Sequence, residues 1–194
     1  MNPERKQLLD SAFGNYVNIS DGAYSYLEAH FHEKKYAARE IIVESGGQAK
    51  YFYLVISGVQ AIYIINQKGE KVVLGFSFSG NISGIYDSFL SRKPSSLFLE
   101  AITPSKMIGI NRRDYIELFG RFPEFYEWRT HFIEQILFGR ISREVELMTL
   151  PAKERFDAFV KRCPQELLDI PQKYLASYLN MKPETFSRLR ALRD

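Results

Sequence analysis

Arg188 and Glu184 lie four residues apart in a helical stretch and are the side chains best suited to reading a base edge. An arginine donates two parallel hydrogen bonds to guanine, a glutamate accepts from cytosine, and a threonine such as Thr185 reaches a phosphate or a thymine methyl. Lys173, Lys182 and Arg190 are placed to neutralise backbone phosphates, and Gln172 and Ser187 complete the candidate duplex contacts. Other chemistries are poorly provided for. No Ser-His-Asp, metal or phosphate-loop arrangement converges, so no catalytic residue, metal ligand or cofactor is assigned and an enzyme is not expected. The single cysteine, Cys163, cannot ligate an iron–sulfur cluster or a thiolate zinc site within one chain. His30-Phe31-His32 has the HxH spacing of metal-binding rolls, but the acidic residues that follow are Glu33 and then Glu40, which fit that pattern badly, and the remaining histidine is His131.

The reading residues need a scaffold, and residues 171 to 190 supply one. Leu175, Ala176 and Leu179 predict a first helix with a small residue where a second helix crosses. Asn180 stands where the turn needs a left-handed residue, Met181 points into the core, and Pro183 suits the first turn of the second helix. Phe186 and Leu189 face inward, leaving Glu184, Thr185, Ser187, Arg188 and Ala191 outward on a recognition helix over 183–193. An ordinary helical hairpin with a solvated face has the same pattern; the basic bias and a long helix upstream favour the reader.

Upstream, Leu8, Leu9 and Phe13 predict one short helix, and Asp21 is the expected cap of a second carrying Ala23, Tyr26, Leu27 and His30. From Tyr36 to about Ile110 the texture turns to β-branched and aromatic runs at 40–43, 51–56, 59–65, 71–76 and 97–102. Glycine-bearing turns at Gly46-Gly47, Gly58, Gly69 and Gly80 recur at the spacing of a meandering antiparallel barrel or roll. Phe122-Pro123 then opens a helix running to about Leu150. One line on it follows Phe125, Trp128, Phe132, Ile136 and Gly139, and a second follows Ile133, Leu137, Ile141, Val145 and Met148. Such a helix is about 40 Å long, too long for a small roll to cover, so the spare stripe predicts a homodimer through residues 125–148. A helix lying wholly against its own domain is the alternative. The expected division is a roll over 1–121, a dimerisation helix over 122–150 and a helix-turn-helix domain over 151–194.

The chain has 194 residues, 45% of them hydrophobic and 25% charged, which is enough for one good core or two small ones and excludes a disordered tail. Of the 26 basic and 23 acidic residues, nine and six lie in 151–194. Subtraction leaves 17 of each in the first 150, so the whole net charge of +3 sits in the last segment. A basic end on a neutral body suits a polyanionic partner. Lone-cysteine usage, no apolar run of about 18 residues and no apolar signal core at the N-terminus predict a cytoplasmic protein with no membrane partner.

A glycine-punctuated roll, a long helix and a helix-turn-helix together resemble the CRP/FNR superfamily of bacterial transcription regulators. The resemblance rests on Glu44-Ser-Gly-Gly-Gln through Tyr53-Leu-Val-Ile-Ser-Gly58, and on Ile170-Pro-Gln-Lys-Tyr-Leu-Ala to Glu184-Thr-Phe-Ser-Arg188, the latter similar to the compact-winged, Bacteroidetes-type members. It implies an α+β fold: an N-terminal antiparallel, jelly-roll-like β-roll with flanking helices, a long dimerisation helix and a small winged-helix-like DNA-binding domain. It also implies double-stranded DNA and RNA polymerase as partners, with paired recognition helices entering successive major grooves about 34 Å apart. Members that bind cyclic nucleotide carry a Gly-Glu pair for the ribose and an Arg-Ser pair for the phosphate. Here Gly84-Ile85 and Ser95-Ser96 stand at those places. A cyclic phosphate without its arginine loses a charge-assisted contact at a cost of about 2 kcal/mol or more, so cyclic AMP is not expected in the family manner. Arg92 and Lys93 are the nearby cations, and with Gly84, Ile85, Ser95 and Ser96 they form the candidate pocket for an unidentified small-molecule effector. A cyclic-nucleotide module acting on another protein, and a cupin-like enzyme, are the rival functions; both leave residues 151–194 without a role.

Overall fold

The computed structural model describes residues 3–14, 16–168 and 170–192. Among these, the apolar runs all form strands and three further strands join them. In chain order they are β1 (His32–Tyr36), β2 (Ile41–Val43), β3 (Tyr51–Ser57), β4 (Gln60–Ile65), β5 (Lys71–Ser77), β6 (Ile82–Ser83), β7 (Phe98–Ala101) and β8 (Ser105–Asn111). They make two antiparallel four-stranded sheets, ordered β1-β8-β3-β6 and β2-β7-β4-β5. This is a jelly-roll-like sandwich rather than a meander, because only β4 and β5 are sequential neighbours in a sheet. The expected glycine turns are real: Gly46, Gly58, Gly69 and Gly80 have positive φ. At Gly58 the need is steric as well, since a Cβ there would lie 2.4 Å from the Pro104 carbonyl oxygen.

Two features tie the sheets together. Apolar side chains of the inner faces pack with the N-terminal helices α1 (Pro3–Leu9) and α2 (Asp21–His30), joined by a π-turn over Asp10–Gly14. A polar stitch crosses the sandwich: fully buried Gln60 donates to Ser105 Oγ at 2.8 Å and accepts from Ser77 at 3.0 Å, and the Ser77 and Ser83 hydroxyls are 2.8 Å apart. Helix α2 is capped by Ser20 and not by Asp21. The Ser20 backbone is extended and its hydroxyl accepts from the Ala23 N–H at 3.3 Å, which places Asp21 in the first turn, where its charge suits the helix dipole.

After the short α3 (Tyr86–Ser91), α4 (Arg112–Arg121) follows β8 directly, with the Asn111 side chain accepting from the Asp114 N–H. Phe122 is the C-cap of α4, so the long helix α5 starts at Phe125 rather than at Phe122-Pro123 and ends at Thr149. Its 25 residues span about 37 Å. Phe125 and Trp128 are buried under the roll, where they meet Phe13, and Trp128 stacks on Phe132 at 5.2 Å. Beyond Phe132 the helix leaves the roll: Ile133, Ile136, Leu137, Phe138, Ile141 and Val145 are about half exposed, and Met148 is 77% exposed.

Pro151 then starts α6 (Ala152–Arg162), followed by α7 (Gln165–Leu168), α8 (Gln172–Tyr178) and α9 (Pro183–Ala191). These helices do not have a core to themselves. Phe156, Phe159, Tyr174, Leu175, Ala176, Leu179 and Phe186 share one apolar cluster with Val59, Ala61, Tyr63, Val73 and Ile102, on the outer face of the β2-β7-β4-β5 sheet. Both faces of β4 are therefore covered, one by the roll interior and the other by the C-terminal helices. Within the expected 183–193 recognition helix, Arg193 lies outside the described residues, as do Asp169 and Asp194 of the charge pattern.

Candidate nucleic-acid interface

Helix α8 ends at Tyr178 with Leu179 as its C-cap, and Asn180 takes the left-handed conformation (φ 49°) that the turn requires. The Met181 N–H donates to the Ala176 carbonyl at 3.0 Å and closes the turn, with the Met181 side chain half-buried against the shared core. Lys182 is then the N-cap of α9 and Pro183 its first residue, where a missing N–H costs nothing. Phe186, 1% exposed, meets Phe156 edge-on at 5.3 Å and pins α9 over α6. Arg155 of α6 fastens the turn itself. Its guanidinium donates to the carbonyls of Leu150 at 2.6 Å, Leu179 at 3.0 Å and Asn180 at 3.2 Å.

This geometry leaves Lys182, Glu184, Ser187 and Arg188 exposed along α9 and its N-cap, with Lys173 exposed on α8. Thr185, Arg190 and Gln172 are half-buried, so they stand at the margin of this exposed face rather than on it. Lys173 Nζ lies 5.3 Å from the Tyr174 ring centroid.

The helix-turn-helix is held to α5 and to the roll by side chains that the sequence reading passed over. Arg162 makes a two-pronged ion pair with Glu146 on α5, which draws the Glu146 carboxyl below its ordinary value. Arg143 of α5 donates to the Tyr178 carbonyl at 2.7 Å and to the Val73 carbonyl at 3.3 Å, with its guanidinium 4.4 Å from the Tyr178 ring centroid. Burial lowers its pKa. Ser177 Oγ accepts from the Val73 N–H at 3.0 Å and donates to the Lys71 carbonyl at 2.7 Å. The Tyr174 hydroxyl donates to Glu100 at 2.9 Å, and Glu100, only 2% exposed, also pairs with Lys71. Desolvation and then the Glu100 carboxylate push the Tyr174 phenol up. One signal for this junction is legible: Glu100 is a carboxylate inside the apolar run Leu97–Ile102 and needed a buried partner.

The six residues at the cassette places are dispersed in role. Gly84 (φ 148°) has a backbone that a side chain would strain, and a Cβ there would press on the Phe52 ring at 3.0 Å. Ile85, 2% exposed, is part of the roll core. Ser95 is buried and committed: its N–H donates to Gly47, its carbonyl accepts from Gly46 and its hydroxyl accepts from Leu97. Arg92, the left-handed C-cap of α3, and Lys93 and Ser96 are exposed. The roll core nearby, lined by Phe13, Phe52, Tyr115 and Trp128 among others, holds a void of about 10 Å³, space for about one water.

His30 and His32 fall on different elements, α2 and β1, and His30 Nδ1 lies 2.8 Å from the Tyr26 carbonyl oxygen. His131 sits on α5 beside Glu127 and Glu134, with its ring 5.6 Å from that of Tyr16. Among the described residues no three His, Cys, Asp or Glu side chains converge as a metal site, and no helix is long and apolar enough to cross a membrane.

Comparison with known proteins bears on the same regions. The family model described as the cyclic nucleotide-binding domain matches residues 33–122. The regulatory protein HlyX of Actinobacillus pleuropneumoniae is 25% identical over 165 residues, covering 77% of this chain and 66% of its own. The fumarate and nitrate reduction regulatory protein of Yersinia pestis is 24% identical over 165 residues, covering 77% and 64%. The match thus spans just under two thirds of the length of these relatives. The structure of FixK2 from Bradyrhizobium japonicum superposes with a TM-score of 0.75 at 20% identity, over 84% of this chain and 83% of that one.

Proposed function

We propose that the chain is a member of the CRP/FNR superfamily and, on that premise, a homodimeric, sequence-specific DNA-binding regulator of transcription. One observation carries the reading: a closed helix-turn-helix presents Lys182, Glu184, Ser187 and Arg188 to solvent, while Phe186 and Arg155 hold its inner side. In this reading Arg188 and Glu184 read bases, Thr185 reaches a phosphate or a thymine methyl, Lys173, Lys182 and Arg190 neutralise backbone phosphates, and Gln172 and Ser187 complete the duplex contacts. The apolar stripe of α5 is the dimer seam, and two-fold pairing through it sets two recognition helices on successive major grooves. RNA polymerase is the further partner, the cytoplasm the site of action, and the chain is not an enzyme. The narrower likeness to Bacteroidetes-type members rests on residues 170–188.

The roll is the effector-sensing domain of this reading, with Arg92 and Lys93 as the cations nearest the cassette. With Ile85 in the core and no arginine at Ser95, cyclic AMP is not bound in the family manner, and micromolar uptake in calorimetric titration would overturn that statement.

Duplex binding followed across salt concentrations tests the main proposal. Affinity falls by about 0.9 log unit per log unit of salt for each phosphate neutralised; a chain that retains no duplex at low ionic strength is not a regulator of this kind. Selection of bound sequences from random DNA, repeated with Arg188→Ala and Glu184→Ala, tests the readers. Each change should relax preference at one base position, costing about 1–3 kcal/mol there. Unaltered preference would remove that residue from base readout.

A further inference from the structure

Helix α9 packs on α8 and α6, and three polar attachments hold α8 to the roll and to α5. The first is to a sheet edge. β5 is an edge strand, and its outward Val73 N–H and Lys71 carbonyl are both met by the one hydroxyl of Ser177. The second is to β7, where Tyr174 donates to buried Glu100 and Lys71 approaches the same carboxylate from β5, two strands away across β4. The third is to α5, where Arg143 joins the Val73 carbonyl of the roll to the Tyr178 carbonyl at the end of α8.

Resting on the DNA-binding reading, we propose that Ser177, Tyr174 and Arg143 are positioning residues: they touch no DNA, but fix α8, and through it the recognition helix, against the roll and the helix that carries the dimer seam. Two observations support this. The docked arrangement leaves Lys182, Glu184, Ser187 and Arg188 exposed, so docking aims the reading face and does not cover it. The polar ties are also separable from the fold of the helix-turn-helix, whose own closure runs through Asn180, Met181, Phe186 and Arg155. A two-site duplex rewards a recognition helix held in place beforehand, because an arm ordered only on binding forfeits affinity.

The test uses the full chain with Ser177→Ala, Tyr174→Phe and Arg143→Met, and a duplex selected by the wild-type protein. Each variant should bind that duplex about tenfold more weakly, with an unchanged salt slope because the same phosphates are met and with native helix content. In Ser177→Ala the Val73 amide should lose its protection from hydrogen exchange, whereas Ser177→Thr, which keeps the hydroxyl, should restore both protection and affinity. Affinity within twofold of wild type overturns the proposal. So does tighter binding, which would make the junction a restraint, and so does a Val73 amide that stays protected in Ser177→Ala. A wild-type chain that retains no duplex at low salt fails on the DNA-binding reading itself, a result distinct from wild-type binding that the three variants leave untouched.

Discussion

Leu137→Glu places a carboxylate in the middle of the exposed stripe of α5, between Ile133 and Ile141. Leu137 is 52% exposed in the single chain, so about half of its side chain remains to be covered by a second copy. Complete burial of a leucine is worth about 1.5–3 kcal/mol, and the missing half therefore about 1 kcal/mol per protomer. Two-fold symmetry doubles the loss to about 2 kcal/mol, and forcing two carboxylates out of water adds a penalty of several kcal/mol per buried ion. The dimer dissociation constant should rise at least a hundredfold. Glutamate is nearly as good a helix former as leucine, so the folded protomer should be almost unaffected. Sedimentation equilibrium over a concentration series measures the first quantity, and circular dichroism with thermal melting checks the second. A dissociation constant unchanged in a normally folded variant would show that the stripe is not the seam, and the two-fold pairing of the recognition helices would lose its basis.

Phe186→Ala empties a site that is 1% exposed and should destabilise the C-terminal helices by about 3–5 kcal/mol, read as a lowered denaturation midpoint; a loss under about 1 kcal/mol would mean that the α6–α9 contact is not closely packed. The Glu146–Arg162 pair predicts a pH effect. The Glu146 carboxyl is held below its ordinary value of 4.5 by hydrogen bonding to Arg162, so its contribution to stability is complete above that value and is lost as pH falls through the lower, folded one. Denaturant titrations between pH 3 and 6 should show this acid-side loss diminished in Glu146→Gln; identical profiles would place the pair outside the energetics of docking.

The elements that were legible in the amino-acid order are those fixed by near neighbours. Asn180, Pro183 and the inward Leu175, Leu179 and Phe186 define the helix-turn-helix within about a dozen positions, and its conformation follows from them. The strands rich in β-branched residues were equally plain. β1, reading His-Glu-Lys-Lys-Tyr, was not, because it is a charged edge strand largely open to water. β8 was hidden by Gly109, a weak strand former that is needed because the Tyr53 ring lies where a Cβ would come within 2.9 Å. At α2, serine and aspartate stand side by side and either can cap; only the extended backbone at Ser20 decides. The junction of roll and helix-turn-helix was beyond such reasoning, since Ser177 meets Lys71 and Val73 from more than a hundred residues away.

The Ser177 hydroxyl has one further consequence. A protomer whose α8 lifted away would bare the Val73 N–H and the Lys71 carbonyl on β5, on either side of Val72, a template onto which a strand of another molecule can add. Ser177→Ala stocks should accordingly precipitate or exchange segments between molecules on storage at high concentration. The same small side chain that orients a helix then also acts as a guard against self-association.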